Sequence, residues 1–379
     1  MMFLILVISL GYLFIVLGLV LEGWTYKARP HRASVASSDR DNSFSIIINY
    51  RDESEHLRGL LHTITQLKYD FKKVEFLFIN DGSRDDSLEI LKDFTSKHHH
   101  ITIQLLNRKP VSSSPKKDGI TQAVALAKHE HIICTDADVT LPEKWLQAFN
   151  EHYKLLPDQH FVAGPVALYA RNNLIAQLQH SEMVALQMTT MGSFSIRQPF
   201  MCNGANMSFT KTAFNEVHGY HGNDHISSGD DIFLLEKLTA EDVLKCSYLK
   251  TEDAIIKTHA KHNWHDMISQ RVRWAQKGSA TKSGLNKLVS FQVLFMSLLF
   301  ILTPALWSFH ILTSVQWIAL ASIKIVVDTI VIFLGNRFFL NKQWPEFLLP
   351  QLMIYPFLVV IIAFKSLGTT TWKNRQVEL

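Results

Sequence analysis

Cysteine is scarce: Cys134, Cys202 and Cys246 are the three in 379 residues, and they are scattered without metal-ligand spacing. That excludes a disulfide framework and a thiolate metal centre, and it suits a reducing compartment. The sequence also lacks G-x-G-x-x-G and G-x-x-x-x-G-K-[ST], which disfavours dinucleotide oxidoreductases and P-loop enzymes. No small-residue cleavage site follows the apolar N-terminus, so that stretch is not read as a secretory leader. Charge is missing over long runs. Met1 to Leu21 carries none, and it is sparse in a second apolar territory from about Leu288 to Phe364. The formal net charge of +4 sits largely beside these apolar runs and requires no nucleic-acid partner.

The uncharged runs are long enough to cross a bilayer at ~1.5 Å per helical residue. One crossing is expected over 1–23, followed by a polar linker over 24–43 that includes Arg29-Pro30 and Ser37-Ser38. About three more fall within 284–366, near 290–310, 315–335 and 346–364, before a tail over 367–379. Lys27, Arg29, Arg32 and Arg40 follow the first run, so the positive-inside rule puts the next domain, 44–283, in the cytoplasm. The protein is thus expected in an inner or plasma membrane. Lys324 and Asp328 are four apart and pair on one helix face as packing between helices. Pro350 and Pro356 leave the last segment either spanning or re-entrant. His98-His99-His100 reads as a solvated loop.

Between the apolar territories, strands and helices alternate. Phe44–Ile48 reads as a buried strand, 54–67 as a helix and Val74–Ile79 as a second strand. A helix over 86–97, a strand over 101–106, a loop holding Ser112 to Lys117 and a helix over 118–128 follow. Next comes Ile132-Ile133-Cys134-Thr135-Asp136-Ala137-Asp138-Val139, an apolar run that ends in two carboxylates. This alternation predicts an α/β fold with a doubly wound, mostly parallel sheet. Ligands of such sheets bind beyond the carboxyl ends of the strands. There Asp136 and Asp138, two apart on an extended segment, would face one side. Hard oxygen ligands with room for substrate phosphates suit Mg²⁺ or Mn²⁺.

Four motifs in order resemble family-2 glycosyltransferases of the GT-A fold. They are a strand ending in Asn80-Asp81-Gly82-Ser83, Lys116-Lys117 before a helix, Thr135-Asp136-Ala137-Asp138, and Gln270-Arg271-Val272-Arg273-Trp274. The last matches the Q-x-x-R-W signature of the family's membrane branch. Asn203-Gly204-Ala205-Asn206-Met207 resembles the acceptor-side strand, and Ser228-Gly229-Asp230-Asp231 heads a helix. The resemblance implies a nucleotide-sugar-binding domain flanked by transmembrane helices. It implies that Asp81 contacts the nucleoside, that Lys116 or Lys117 contacts the nucleotide, and that Asp136 and Asp138 hold the metal.

The resemblance also implies a general base, and Asp231 is the candidate. Asp230 beside it disfavours ionisation of both carboxylates. Thr251-Glu252-Asp253 spells the T-E-D triplet that marks the base in polysaccharide synthases, but it lies in a segment read as strand. Asp231 precedes Gln270 by roughly forty residues and opens a helix, so it is preferred. Arg273 would reach the diphosphate, and Trp274 would present a flat face to the acceptor. Trp372-Lys373-Asn374-Arg375 resembles a W-K-G-R ending in some members, with Asn374 in place of Gly and no role carried over.

The expected activity is inverting transfer from a nucleotide-diphosphate sugar, most simply a uridine diphosphate sugar, to a lipid or lipid-linked acceptor at the cell envelope. A processive polysaccharide synthase is the alternative, favoured by Q-x-x-R-W and disfavoured by so few helices. A non-catalytic membrane scaffold is the second alternative.

Overall fold

The computed structural model describes residues 2–29, 40–169, 173–224, 226, 228–368, 370–372 and 375–377. Most of the expected linker, with Arg32 and Ser37-Ser38, and Lys373-Asn374 of the tail lie outside the described residues. The chain opens on an apolar rod made of α1 (Met2–Gly11), a π-helical stretch (Tyr12–Leu17) and α2 (Gly18–Thr25). Then come β1 (Phe44–Tyr50), α3 (Ser54–Thr65), β2 (Val74–Asn80), α4 (Ser87–Lys97), β3 (Thr102–Asn107), α5 (Pro115–Leu126) and β4 (His131–Asp136). After β5 (Val139–Thr140), α6 (Trp145–Leu155), β6 (Phe161–Ala163) and β7 (Val166–Leu168) runs a long helix, α7 (Leu174–Ser195). The chain continues through β8 (Met207–Thr210), α8 (Lys211–Glu216), α9 (Asp230–Asp242), β9 (Cys246–Tyr248) and β10 (Ile256–Thr258). Four helices follow: α10 (Trp264–Ser279), α11 (Gly284–Ser308), α12 (Ser314–Phe338) and α13 (Trp344–Lys365). A small pair, β11 (Thr370–Trp372) and β12 (Arg375–Val377), ends the described chain.

The chain divides into two compact units, one of them built around a sheet and the other helical. Among the described residues, the sheet unit comprises 27–167 and 201–259. Its seven-stranded sheet has the order β3-β2-β1-β4-β8-β6-β9. β3, β2, β1 and β4 are parallel, β8 runs antiparallel to both its neighbours, and β6 pairs β9 in parallel. Every residue of β2 is buried, as is all of β1 except Asn49, which is why both read as unbroken apolar runs. α3 lays Leu57, Leu60, Leu61 and Ile64 on this core. The one buried carboxylate of β2, Glu75, accepts from Ser45 Oγ at 2.6 Å, Gln104 Nε2 at 3.0 Å and Lys128 N at 2.6 Å. That satisfies a charge which would otherwise oppose folding.

Local structure differs from expectation in four places. β4 ends at Asp136, and Ala137-Asp138 form a turn before β5, so the two carboxylates do not share one extended strand. Pro115 at the first helical position starts α5 early and puts Lys116 and Lys117 in its first turn rather than in a loop. Asn203–Asn206 precede β8 instead of lying in it, and Glu252–Ala254 form a single 3₁₀ turn before β10.

The helical unit comprises 1–26, 168–200 and 260–377. Four of its helical segments are long and apolar enough to cross a membrane: Phe3–Thr25, Gly284–Ser308, Ser314–Phe338 and Trp344–Lys365. Two helices from inside the expected 44–283 segment, α7 and α10, belong to this unit as well. α7 crosses α2 so closely that a Cβ at Gly192 would lie 1.9 Å from Leu19 O, and one at Gly23 would lie 2.2 Å from Met188 O. Only glycine permits that approach.

One stability prediction follows from the sheet unit. His152 Nε2 lies 2.8 Å from Ser247 Oγ, and burial pulls the imidazole down to about 4. Burial also holds His129, His131 and His160 below the ordinary value. The folded state therefore prefers neutral imidazoles. Their stabilisation is complete above the unfolded value of ~6.5 and is lost as pH falls toward the folded values, with ~3 kcal/mol at stake for His152. The thermal midpoint of the sheet unit is expected to fall as pH drops below ~6.5. In His152→Gln that fall should be smaller, as read by circular dichroism.

Candidate active site

At the carboxyl edge of the parallel strands, β1, β2, β3 and β4 deliver Arg51, Asp81, Arg108 and Asp136 from their ends. Asp81 is held by charge on two sides: Arg108 Nε donates to Oδ1 at 2.6 Å, and Arg51 Nη1 lies 3.6 Å from Oδ2. Arg108 also reaches Asp118 Oδ2 at 3.0 Å. Asp118, buried in the first turn of α5, accepts from Val111 N, Ser112 N and Ser112 Oγ and so shapes the loop before the helix.

Asp136 faces a second cation. Lys116 Nζ donates to Asp136 Oδ1 at 2.8 Å and lies 3.1 Å from Asp230 Oδ2. Burial opposes the ammonium charge, but Asp136 first and Asp230 next outweigh it, so the Lys116 amine is held well above its ordinary value. Lys117 points elsewhere. Its ammonium donates to Asn223 O at 2.6 Å and Ile226 O at 2.9 Å and lies 4.7 Å from the Phe233 ring centre. Of the two lysines expected at the nucleotide, Lys116 stands among the acidic groups and Lys117 fastens the loop ahead of α9.

α9 opens on Asp230 and Asp231, both buried. Asp231 Oδ2 accepts from Gly204 N at 3.1 Å, and Oδ1 accepts from Ile232 N at 2.8 Å, so the carboxylate is fixed at the helix entrance. Gly204 is placed by Asn206, which is fully buried. Its amide donates to Pro165 O at 2.8 Å and Ala254 O at 2.9 Å, while its carbonyl accepts from Trp145 Nε1 at 3.0 Å. A Cβ on Gly204 would sit 2.8 Å from Asp230 Oδ2 and 3.1 Å from Lys116 Nζ, so the glycine allows the cluster to close. Tyr220 is buried nearby, and burial, reinforced by Asp230, pushes its phenol well above the ordinary value.

Asp138, in the turn after β4, accepts weakly from Thr258 Oγ1 at 3.3 Å. β10 pairs antiparallel with β5, Thr258 opposite Val139, which brings His259 next along that edge; its ring stacks on His56 at 4.9 Å. Among the described residues, no three His, Cys, Asp or Glu side chains form a ready metal cage. The Asp136 and Asp138 carboxylates nevertheless fit a hard cation that uses one or two protein oxygens and fills its shell with phosphate and water. Asp253 is half exposed, and the half-exposed Lys144 ammonium lies 3.8 Å from its carboxylate.

The remaining expected residues lie on α10, in the helical unit. Arg271, to which the sequence assigned no role, is buried, whereas Gln270, Arg273 and Trp274 are partly exposed. Its Nε donates to Glu182 Oε2 at 2.6 Å, its Nη1 to Gln270 Oε1, and its guanidinium covers the Trp274 ring at 4.4 Å. Trp274 therefore has one face occupied. Burial draws the Arg273 guanidinium below its ordinary value.

Residues 131–364 match the family described as "Glycosyl transferase family group 2". The chain belongs to that family. Among curated relatives, a poly-β-1,6-N-acetyl-D-glucosamine synthase of Staphylococcus epidermidis is 27% identical over 66% of this chain and 59% of its own length. One of the same name from Staphylococcus aureus (strain COL) is 25% identical over 63% of this chain and 55% of its own length. The family-2 chain thus spans less than two thirds of these relatives. Among solved structures, a mannosyltransferase from Pyrobaculum calidifontis in complex with GDP-Man and Mn²⁺ is similar with a TM-score of 0.55 at 13% identity. The match covers 96% of this chain and 99% of that one. At that identity the likeness speaks to the fold, and the fold is the expected GT-A architecture.

Sequence reading missed Arg108, Asp118, Tyr220, Thr258 and His259. Arg108 carried a usable signal, because it directly follows a strand end where ligands of such sheets bind. Gly204→Ala forces Asp230 and Lys116 to shift. The expected result is a fall of about tenfold or more in kcat, or ~1.4 kcal/mol of barrier, with little change in thermal midpoint, because flexible side-chain ends can move.

Proposed function

We propose that this protein moves a sugar from a nucleotide-diphosphate donor, a uridine diphosphate sugar, to a lipid or lipid-linked hydroxyl at the cytoplasmic face of a membrane, with inversion. The observation that carries the reading is the cluster at the carboxyl edge: Asp136, Lys116, Asp230 and a fixed Asp231 on elements brought together from distant parts of the chain. Family membership and the four long apolar helices support it. Asp81, Arg51 and Arg108 would bind the nucleoside side of the donor. Asp136 and Asp138 would hold Mg²⁺ or Mn²⁺, which when bound neutralises charge on the departing diphosphate. The Pyrobaculum mannosyltransferase of similar fold, in complex with Mn²⁺, is in keeping with this. Asp231 takes the proton of the acceptor hydroxyl as its oxygen bonds the anomeric carbon from the face opposite the leaving group. The bond from that carbon to the diphosphate oxygen breaks in the same displacement, so the configuration inverts. Gln270, Arg273 and Trp274 of α10 would serve the diphosphate and the acceptor.

The relatives' names favour a second reading, in which transfers repeat on a growing poly-N-acetylglucosamine chain. Product size against time at saturating donor separates the two. One added sugar, extractable into organic solvent, is expected. A ladder of lengthening water-soluble chains would establish the polymer synthase instead.

Two variant series test the site. Asp138→Ala should abolish both turnover and Mn²⁺-dependent donor binding while the thermal midpoint holds, and normal titration of donor in the mutant would refute the metal assignment. Asp231→Asn should keep donor binding and lose ~10²–10⁴-fold in transfer, the usual contribution of a general base. Asp253→Asn should stay active. The reverse pattern would move the base to Asp253.

A further inference from the structure

In the sheet unit, the connection from α8 to α9 consists of turns among its described residues, and two ammonium groups hold its backbone. Lys117 Nζ donates to Asn223 O at 2.6 Å and to Ile226 O at 2.9 Å. Lys237 Nζ donates to Gly219 O and His221 O, each at 2.7 Å, and to Val217 O at 3.3 Å. Carbonyls spread along one connection thus receive charged donors, which make stronger hydrogen bonds than neutral ones.

The two lysines reach the connection from different elements. Lys117 sits in the first turn of α5 and is only 1% exposed, with its ammonium 4.7 Å from the Phe233 ring centre. Phe233 belongs to the first turn of α9, so Lys117 touches both the connection and the helix that follows it. Lys237, partly buried, lies roughly two turns along α9 and reaches back. Gly229 joins connection to helix at a φ of 83°, where glycine is free to turn, so the bonds on either side set the entry of α9. Asp230 comes next, 3.1 Å from the ammonium of Lys116. The first turn of α5 therefore grips the start of α9 by a carboxylate and its lead-in by carbonyls. Burying an ammonium is unfavourable, and an apolar side chain of similar volume often stabilises a fold more. Holding together a fold is thus a poor reason for a lysine at 117.

We propose that Lys117 and Lys237 are positioning residues for transfer: they fix the connection ahead of α9 so that the helix presents Asp231, and Lys117 does not contact the donor. This rests on the reading of Asp231 as the base that takes the acceptor proton. Asp231 accepts from Gly204 N at 3.1 Å and from Ile232 N at 2.8 Å, so its carboxylate moves with the backbone of α9's first turn. Proton transfer needs heavy atoms within about 2.6–3.2 Å. A displacement of about 1 Å at a reacting group costs on the order of 100-fold in rate. A loosened lead-in therefore damages proton transfer while the nucleotide contacts of Asp81, Arg51 and Arg108 stay in place.

The test is a double-mutant cycle on the full chain, reading transfer from a uridine diphosphate sugar and titration of uridine diphosphate in the presence of Mn²⁺. Lys117→Met keeps the stem and removes the ammonium. It should lower kcat by about tenfold or more and leave the Kd of uridine diphosphate within about twofold. In the Asp231→Asn background the same change should alter the residual rate by less than about twofold, because residues that act through one group are not additive. Lys237→Met, at a partly exposed site, should show the same split and the same non-additivity, and it decides if thermal midpoints show that Lys117→Met does not fold. Losses of equal size in both backgrounds overturn the proposal, as does an unchanged kcat. Uridine diphosphate bound about tenfold more weakly by Lys117→Met also overturns it and returns that lysine to the nucleotide. Transfer at the wild-type rate by Asp231→Asn alone defeats the base reading and this inference together. Additive losses beside an impaired Asp231→Asn defeat this inference and leave the base in place.

Discussion

The site depends on one interaction, the Lys116 ammonium held between Asp136 and Asp230. Asp136 ends a central parallel strand and Asp230 begins a helix, and Asp231 follows at once. Without a cation between them, these carboxylates would repel one another in a partly desolvated place. With it, strand end and helix start close to hydrogen-bonding distance, and Gly204 slides in beside them because it has no side chain. The fold serves this closure. β8 reverses direction next to β4, so the turn before it brings Gly204 to the edge where β4 ends. Asn206 then locks that turn to Pro165 and Ala254.

The helical unit answers the same electrostatic problem in apolar surroundings. Each of two partly buried acids is matched to a buried cation, Glu182 to Arg271 and Asp328 to Lys324. Buried pairs of this kind add little net stability compared with well-packed aliphatic residues. α7 makes the arrangement possible: it is buried on nearly all sides, and glycines at its crossing with α2 bring the backbones into contact.

Much of this was legible in the sequence for a simple reason. Strands buried on both faces and helices facing lipid must be apolar along their length, so β1, β2, β4 and the four apolar helices announced themselves as runs. Asp81, Asp136, Asp138 and Asp231 stood out in the sequence because each follows or ends a strand or opens a helix, at the edge where ligands of such sheets bind. By contrast, α7 gave no amphipathic stripe. A helix surrounded by protein has no polar face, and Gln177, Gln179 and His180 are buried along with its apolar residues.

Sequence alone determined the element types, the charge-free spans and the inventory of acids and bases, because these follow from local composition and period. Only the tertiary structure decided which groups meet. Lys116 and Asp230 are far apart in the chain, and nothing in either segment distinguishes Lys116, which faces the acids, from Lys117, which faces backbone carbonyls. A single turn after Asp136 sent Asp138 toward Thr258 instead of along the strand. In Gln270–Trp274 the buried arginine is Arg271, because helical rotation turns that position toward Glu182. Pairings of this sort are settled by the direction in which a helix or turn points its side chains, and that direction is fixed only when the elements pack.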